Sequence, residues 1–290
     1  MVRVRLDVAY DGAGFAGWAA QPGLRTVEDE LSRALGRVLR RPAPRLVVAG
    51  RTDAGVSARG QVDHVDVEQA AGTALLRRRA AALPADVVVR GARPAPPGFD
   101  ARFGALRRRY AYRVVDDPAA RDPLRRGEVL VVRRPLDVAA MARAASPLLG
   151  EHDWLPYCRP RAGASTVRTL LRLGWSRAPD GVVVADVEAD AFCHHMVRSL
   201  VGACLAVGEG RRDEGWPARV LAAGVRDPAV AVVPAHGLVL EEVVYPPDEE
   251  LAAQAVRARS YRGPVAPGEG AGTAREVPRP VAGSGHEHDT

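Results

Sequence analysis

Residues Val2–Tyr10 alternate in character. Val2, Val4, Leu6 and Val8 fall on one side and Arg3, Arg5 and Asp7 on the other, the period of a half-buried strand. At Thr26 the period lengthens. Glu28, Asp29 and Glu30 follow it as acids at the positive end of a helix, and Leu31, Leu35 and Leu39 carry an apolar stripe to Arg41. Leu46–Ala49 and Gln61–Val67 read as strands, the second with Val65 and Val67 alternating against His64 and Asp66. Residues 71–83 read as a helix ended by Pro84, and Asp86–Arg90 as a strand. The order β-α-β-β-α-β is the split βαβ, or ferredoxin-like, arrangement.

The pattern resumes after Pro94, Pro96 and Pro97. Arg109–Val115 is a predicted strand, and Leu136–Ser146 a helix with Val138, Met141 and Ala145 inward. Val167–Trp175 and Val182–Val187 are predicted strands, and Pro179-Asp180-Gly181 between them favours a hairpin. His195–Val207 is an apolar helix, Pro217–Ala223 a short one, and Leu238–Val244 a last strand. The second set of elements echoes the first, without a sequence repeat of fixed period. The expected class is α+β, with one half over 1–105 and another over 106–246. Residues 247–290 are rich in Pro, Gly, Ala and charge. They are expected to be a largely disordered tail, above all from about 263 onward.

Composition narrows the field. The chain has 290 residues, 47% of them hydrophobic, enough for two ordinary domains or one large one. No apolar run approaches bilayer-spanning length, and Met1-Val2-Arg3-Val4-Arg5 lacks the apolar core of a signal peptide. A soluble, cytoplasmic protein is therefore expected. Cys158, Cys193 and Cys204 are odd in number without metal-like spacing, and read as reduced thiols. Net charge is +6, and every base is arginine. Residues 247–290 hold seven acids and five arginines, a balance of −2, which leaves +8 on residues 1–246. Clusters stand at Arg40-Arg41, Arg77-Arg78-Arg79, Arg107-Arg108-Arg109 and Arg133-Arg134. Arginine forks suit phosphate, and a basic body suits a polyanion. A genome's arginine bias produces the same composition, so charge alone does not name the partner.

Four segments carry candidate chemistry. Gly12-Ala13-Gly14-Phe15-Ala16-Gly17 fits the G-x-G-x-x-G pattern of dinucleotide binding and follows a strand. That mechanism needs its third glycine inside a helix facing the pyrophosphate. Here Pro22 and Gly23 intervene, helix signals begin only at Thr26, and the acid expected after the next strand is missing. A glycine-rich loop whose backbone approaches a ligand closely fits better. Gly50-Arg51-Thr52-Asp53-Ala54-Gly55-Val56 follows the apolar Leu46-Val47-Val48. It sets one carboxylate between a fixed cation and a glycine, either as a turn cap or as a nucleophile or base at the mouth of a cleft. In Arg107-Arg108-Arg109-Tyr110-Ala111-Tyr112-Arg113, Tyr110 and Tyr112 share a strand face, suited to a core or to stacking on a base. His194 and His195 are adjacent, so they are expected to diverge, and no Cys or His stands at ligand spacing; a zinc site is not expected. Arg198 opens an apolar helix. It lies either on a solvated face or buried with an acid partner, for which Asp53 is the natural choice.

Several of these segments act together as a signature: Tyr10-Asp11-Gly12 with Gly17-Trp18, and Ala49 through Val56 with Gly60-Gln61-Val62. Ala101-Arg102-Phe103 with Arg108-Arg109-Tyr110, and Phe192 through Arg198, complete it. In this order, from about residue 3 to Tyr245, they resemble the bacterial tRNA pseudouridine synthase A family. The Gly-Arg-Thr-Asp-Ala-Gly stretch is the most specific part. The resemblance implies isomerisation of uridine to pseudouridine at positions 38, 39 and 40 of the tRNA anticodon stem-loop, without cofactor or metal, by a homodimer. It implies two similar α/β halves around a central mixed or antiparallel sheet flanked by helices, with the cleft between them. By match to the motifs, Asp53 is the catalytic aspartate and Arg198 its ion-pair partner. Tyr110 stacks on the target base and takes part in late proton transfer, and Arg51 enters the RNA stem as the uridine flips out. Which atom Asp53 attacks stays open. Departures lie outside this set: Ser57 and Asp100 stand where the family favours His, and Ala19-Ala20-Gln21 where it favours polar or basic residues. These bear on RNA affinity more than on chemistry. A non-catalytic RNA-binding protein on the same fold is the alternative.

Overall fold

A computed structural model of the chain describes residues 1–42, 44–68, 83–161 and 163–259. The expected helix, over residues 71–82 of its span, and the expected disordered stretch from 263 lie outside the described residues.

The first set of elements is β1 (Val2–Tyr10), α1 (Val27–Leu39), β2 (Leu46–Val48), β3 (Ser57–Val67) and β4 (Val87–Pro94). β1 lies between β4 and β3, antiparallel to both, and β2 pairs with the far side of β3 from Leu46↔Val65 to Val48↔Asp63. This is the 4-1-3-2 order of the split βαβ arrangement. α1 starts where Thr26 accepts the Asp29 N–H at its hydroxyl, and buries Val27, Leu31, Ala34 and Leu35.

The chain continues through β5 (Arg107–Val115), β6 (Leu130–Val131), α2 (Val138–Ala145), β7 (Gly150–Asp153) and β8 (Val167–Arg177). Then follow β9 (Val183–Ala189), α3 (Met196–Gly208), α4 (Trp216–Ala223), β10 (Leu238–Val244) and α5 (Leu251–Arg259). The sheet order β10-β5-β9-β8 repeats that of β4-β1-β3-β2, with β7 added at the edge. The two sets join into one mixed sheet where β10 runs parallel to β3, at Val239↔Ser57 and Leu240↔Ala58. The outer edge of β3 is thus shared, its start taken by β10 and its end by β2. Gly60 permits the approach, because a Cβ there would lie 2.2 Å from the Glu241 carbonyl oxygen. Arg59 reinforces the junction with Glu241 at 3.1 Å and Glu128 at 2.7 Å.

The expected α+β class and the two echoing sets are present. β3 begins four residues earlier than the apolar alternation indicates, since β10 supplies partners to residues with no alternation of their own. β6 and β7 have two and four residues and left no periodic signal. The expectation of disorder from 247 is corrected over Leu251–Arg259. α5 buries Leu251 and Ala255, sets Ala252 against Gly98, and pairs Arg259 with Asp100 at 2.9 Å. Among the described residues no helix is long and apolar enough to cross a membrane.

Candidate active site

The chain leaves β2 at Val48 and returns at Ser57, and the loop between them carries Asp53. Its underside rests on buried polar side chains. Tyr10 and Thr52 hydroxyls are hydrogen-bonded at 2.7 Å, and the Gln61 amide donates to the Gly50 carbonyl at 2.8 Å and to Tyr10 at 3.3 Å. Arg108, buried at the start of β5, donates to the carbonyls of Ala49, Arg102 and Asp190 at 2.6–2.8 Å. The Val56 N–H bonds back to the Asp53 carbonyl at 3.1 Å, across Gly55 at φ +78°. That is the third position of a tight turn, where glycine is at ease.

The glycine-rich segment 12–17 backs this turn from the other side. The Trp18 N–H donates to the Thr52 carbonyl at 3.1 Å, and the Gly55 N–H to the Phe15 carbonyl at 3.2 Å. A Cβ on Gly12 would sit 2.1 Å from the Val56 carbonyl oxygen. The glycines therefore admit backbone to backbone. What residues 12–17 approach this closely is the Asp53 loop. The dinucleotide geometry is missing, since Gly12–Gly14 forms a single 3-10 turn and α1 begins only at Val27.

Among the described residues, the charged and titratable side chains within 4 Å of the Asp53 carboxylate come from the second set of elements. His194 Nε2 lies 3.3 Å from Oδ1, His195 Nε2 3.7 Å from Oδ2, and Arg198 Nη1 3.5 Å from Oδ2. The Arg198 Nε also donates to the Val233 carbonyl at 2.7 Å, which fixes the fork. Every residue of α3 except Arg198 is buried, which decides between its two sequence readings: the guanidinium is turned to the carboxylate, not to a solvated face. The side chains of Asp53 and Arg198 keep 23% and 16% of their exposure, so the cluster opens to a cleft.

The expected divergence of His194 and His195 is corrected. His195 sits at φ +70°, a left-handed conformation unusual for a residue with a side chain, and the reversal stacks the two rings 3.9 Å apart on one carboxylate. Burial pulls both imidazoles below the ordinary histidine range. Asp53 opposes this, while Arg161, Arg159 and Arg198 add to it at His194, and at His195 the neighbouring His194, then Arg198, and least Arg226. Both are therefore neutral at pH 7. The donor atoms of Asp53, His194 and His195 lie within 4.8 Å of one another, close enough to share a divalent cation, and Arg198 sets a positive charge against one.

The two tyrosines of β5 divide. Tyr112 is fully buried and donates to the Pro234 carbonyl at 2.8 Å, a core position. Tyr110, 8% exposed, meets Phe192 edge to face at 5.2 Å between centroids. Burial and then the charge of Asp53 raise its phenol above the usual range, so it stays protonated at neutral pH. Arg51 is exposed, outside the contacts of Asp53. The Arg107-Arg108-Arg109 cluster is engaged by protein partners: Arg107 on Glu188 at 2.5 Å and Arg109 on Glu242 at 3.3 Å at the surface, and Arg108 buried on the three carbonyls above.

A family profile described as tRNA pseudouridine synthase matches residues 144–246. A tRNA pseudouridine synthase A from Frankia casuarinae is 61% identical over 268 residues, covering 92% of this chain and 98% of that protein. One from Streptomyces griseus is 58% identical over 275 residues, covering 93% and 96%. One from Mycobacterium leprae is 48% identical over 280 residues, covering 90% and 96%. With this identity extending over nearly the whole length of such relatives, the chain belongs to the tRNA pseudouridine synthase A family of isomerases.

Proposed function

We propose that the chain isomerises uridine to pseudouridine at positions 38, 39 and 40 of the tRNA anticodon stem-loop, with Asp53 as the catalytic carboxylate. The observation that carries this reading is the seating of Asp53. A loop of residues 1–105 presents it, and residues 106–246 supply His194, His195 and Arg198 around it. We read these two ranges as the two halves of the enzyme. A stacked uridine is out of reach of such a cleft, so the nucleotide flips into it at a cost on the order of a few kcal/mol. On this reading Arg51, exposed two residues before Asp53, holds the vacated stem, and Tyr110 takes the base on its ring face. The carboxylate then acts on the nucleoside as the bond from N1 to C1′ breaks, and Arg198 keeps its charge in place. C5 joins C1′, the C5 proton leaves, and N1 gains one, so the reaction balances as an isomerisation. A tRNA substrate places the work in the cytoplasm, and the family expectation of a homodimer, checked by light scattering, belongs to the same reading.

The test is an assay of unmodified tRNA bearing uridine at 38–40. The folded enzyme should form pseudouridine there, and Asp53→Asn should abolish turnover while keeping tRNA affinity. Binding without product, indifferent to that substitution, would leave the non-catalytic RNA-binding alternative in its place.

A further inference from the structure

Three arginines at the cleft are left without a task by this chemistry. The segment around residue 159 is docked on the site, since the Arg159 N–H donates to the His194 carbonyl at 2.9 Å. The segment after α4 is docked on Arg198, whose carbonyl accepts the Val233 N–H at 3.4 Å and whose Nε reaches the Val233 carbonyl at 2.7 Å. The same segment puts Ala235 against Gly55 of the Asp53 turn. The first segment brings Arg159 and Arg161 to the rim, the second Arg226. All three are exposed. None of their side chains makes an ion pair or hydrogen bond among the described residues, whereas Arg107, Arg109, Arg113, Arg143, Arg177 and Arg219 each sit on a carboxylate. Their charge nevertheless reaches inward, as its effect on His194 and His195 records. Unneutralised cations around one cleft repel one another in the free protein, and a polyanion seated there relieves that repulsion.

We propose that Arg159, Arg161 and Arg226 form a phosphate-binding rim that grips the RNA backbone beside the flipped nucleotide, opposite Arg51. This rests on the reading of the chain as a tRNA-modifying enzyme. Two loops of the second half hold one flank of the extruded nucleotide, and the Asp53 loop of the first half holds the other. The planar guanidinium suits this task, taking two phosphate oxygens at once. The clusters that stand out in the sequence are a poorer guide to RNA contacts than these isolated arginines, because Arg107-Arg108-Arg109 is already turned to protein partners.

The test uses the full chain with unmodified tRNA and the variants Arg159→Gln, Arg161→Gln and Arg226→Gln, singly and together. Thermal midpoints check folding, and the single variants stand if the triple does not fold. Each single variant should raise Kd and KM about three- to ten-fold and leave kcat within about two-fold. Each should also flatten the slope of log Kd against log salt by roughly 0.7–0.9. Arg143→Gln and Arg219→Gln, whose arginines are held by Glu214 and Asp213, should change none of these. Unchanged Kd and salt slope in the rim variants overturn the rim, as does an equal loss in the two controls. A wild-type protein that binds tRNA but forms no pseudouridine overturns the proposed reaction instead, and the salt slopes still read the rim.

Discussion

At the scale of single residues, the site is one carboxylate with three nitrogen-bearing side chains facing it. Asp53 stood out in the sequence because of its glycine turn, and Arg198 because a cation in an apolar helix needs a partner. The histidines were legible as a pair but not as neighbours of Asp53. Adjacent residues diverge in regular structure, and nothing in His194-His195 announces a left-handed backbone at a residue with a Cβ. Their burial has a consequence for pH. Each titrates lower in the folded chain than unfolded, so the stability they allow is fully present above the ordinary histidine pKa near 6.5 and is lost as pH falls below it. Protonation also turns both rings into cations paired to Asp53, which withdraws the carboxylate from substrate. The profile of kcat/KM should therefore fall on the acid side with a midpoint below about 6.5. In the double variant His194→Gln, His195→Gln that limb should disappear. An acid limb that survives in the double variant excludes the imidazoles as its source.

At the scale of elements, period and caps gave most strands and helices to within a few residues. What they missed has a common cause. The opening of β3, the short β6 and β7, and α5 depend on partners remote in sequence, which local pattern does not record. The glycine-rich segment was legible only in part for a related reason: close backbone approach was, but its object within the protein, the Val56 carbonyl, was not. One core position also broke the pattern unnoticed. Asp63 points from β3 into the apolar layer beside Leu6 and Val48, and neither carboxyl oxygen has a hydrogen-bond partner among the described residues. Burial, and secondarily the charge of Glu28, raise its pKa well above the carboxylate range. A raised folded-state pKa means that its stability contribution is present below the unfolded value near 3.9 and is lost as pH rises through the folded one. Asp63→Asn, which cannot ionise, should match wild type near pH 4. It should exceed it at pH 7.5 by on the order of 1 kcal/mol or more, as each pKa unit is worth about 1.4 kcal/mol. Urea unfolding at the two pH values measures this, and a gap independent of pH would rule out the titration.

At the scale of the molecule, two 4-1-3-2 sets share one sheet, and within that sheet they meet at the parallel pairing of β3 with β10. The echo between the sets was legible from element order, but the junction was not, because Gly60 and Arg59 look like any strand entry. Gly60→Ala should act as a wedge there. Its Cβ would meet the Glu241 carbonyl, which is backbone and cannot swing aside, so the strands must part and Asp53 must draw away from Arg198. We expect a loss of about 1–3 kcal/mol in stability and a larger proportional fall in kcat. Gly127→Ala, with nothing within 4 Å, should show neither. A Gly60→Ala enzyme with wild-type kcat would show that the junction does not set the site.

The same junction fixes when activity first becomes attainable during synthesis. Asp53 leaves the ribosome early, but Arg198 follows 145 residues later, and the strand that binds the two sets together later still. Domains take shape in order of emergence, and contacts between distant segments wait for the later one. A nascent chain that has already folded its first sheet therefore holds Asp53 without the Arg198 that faces it in the finished molecule. If Asp53 carries the chemistry as proposed, the molecule stays silent toward RNA through most of its own translation, and comes alive only when β10 slides in beside β3.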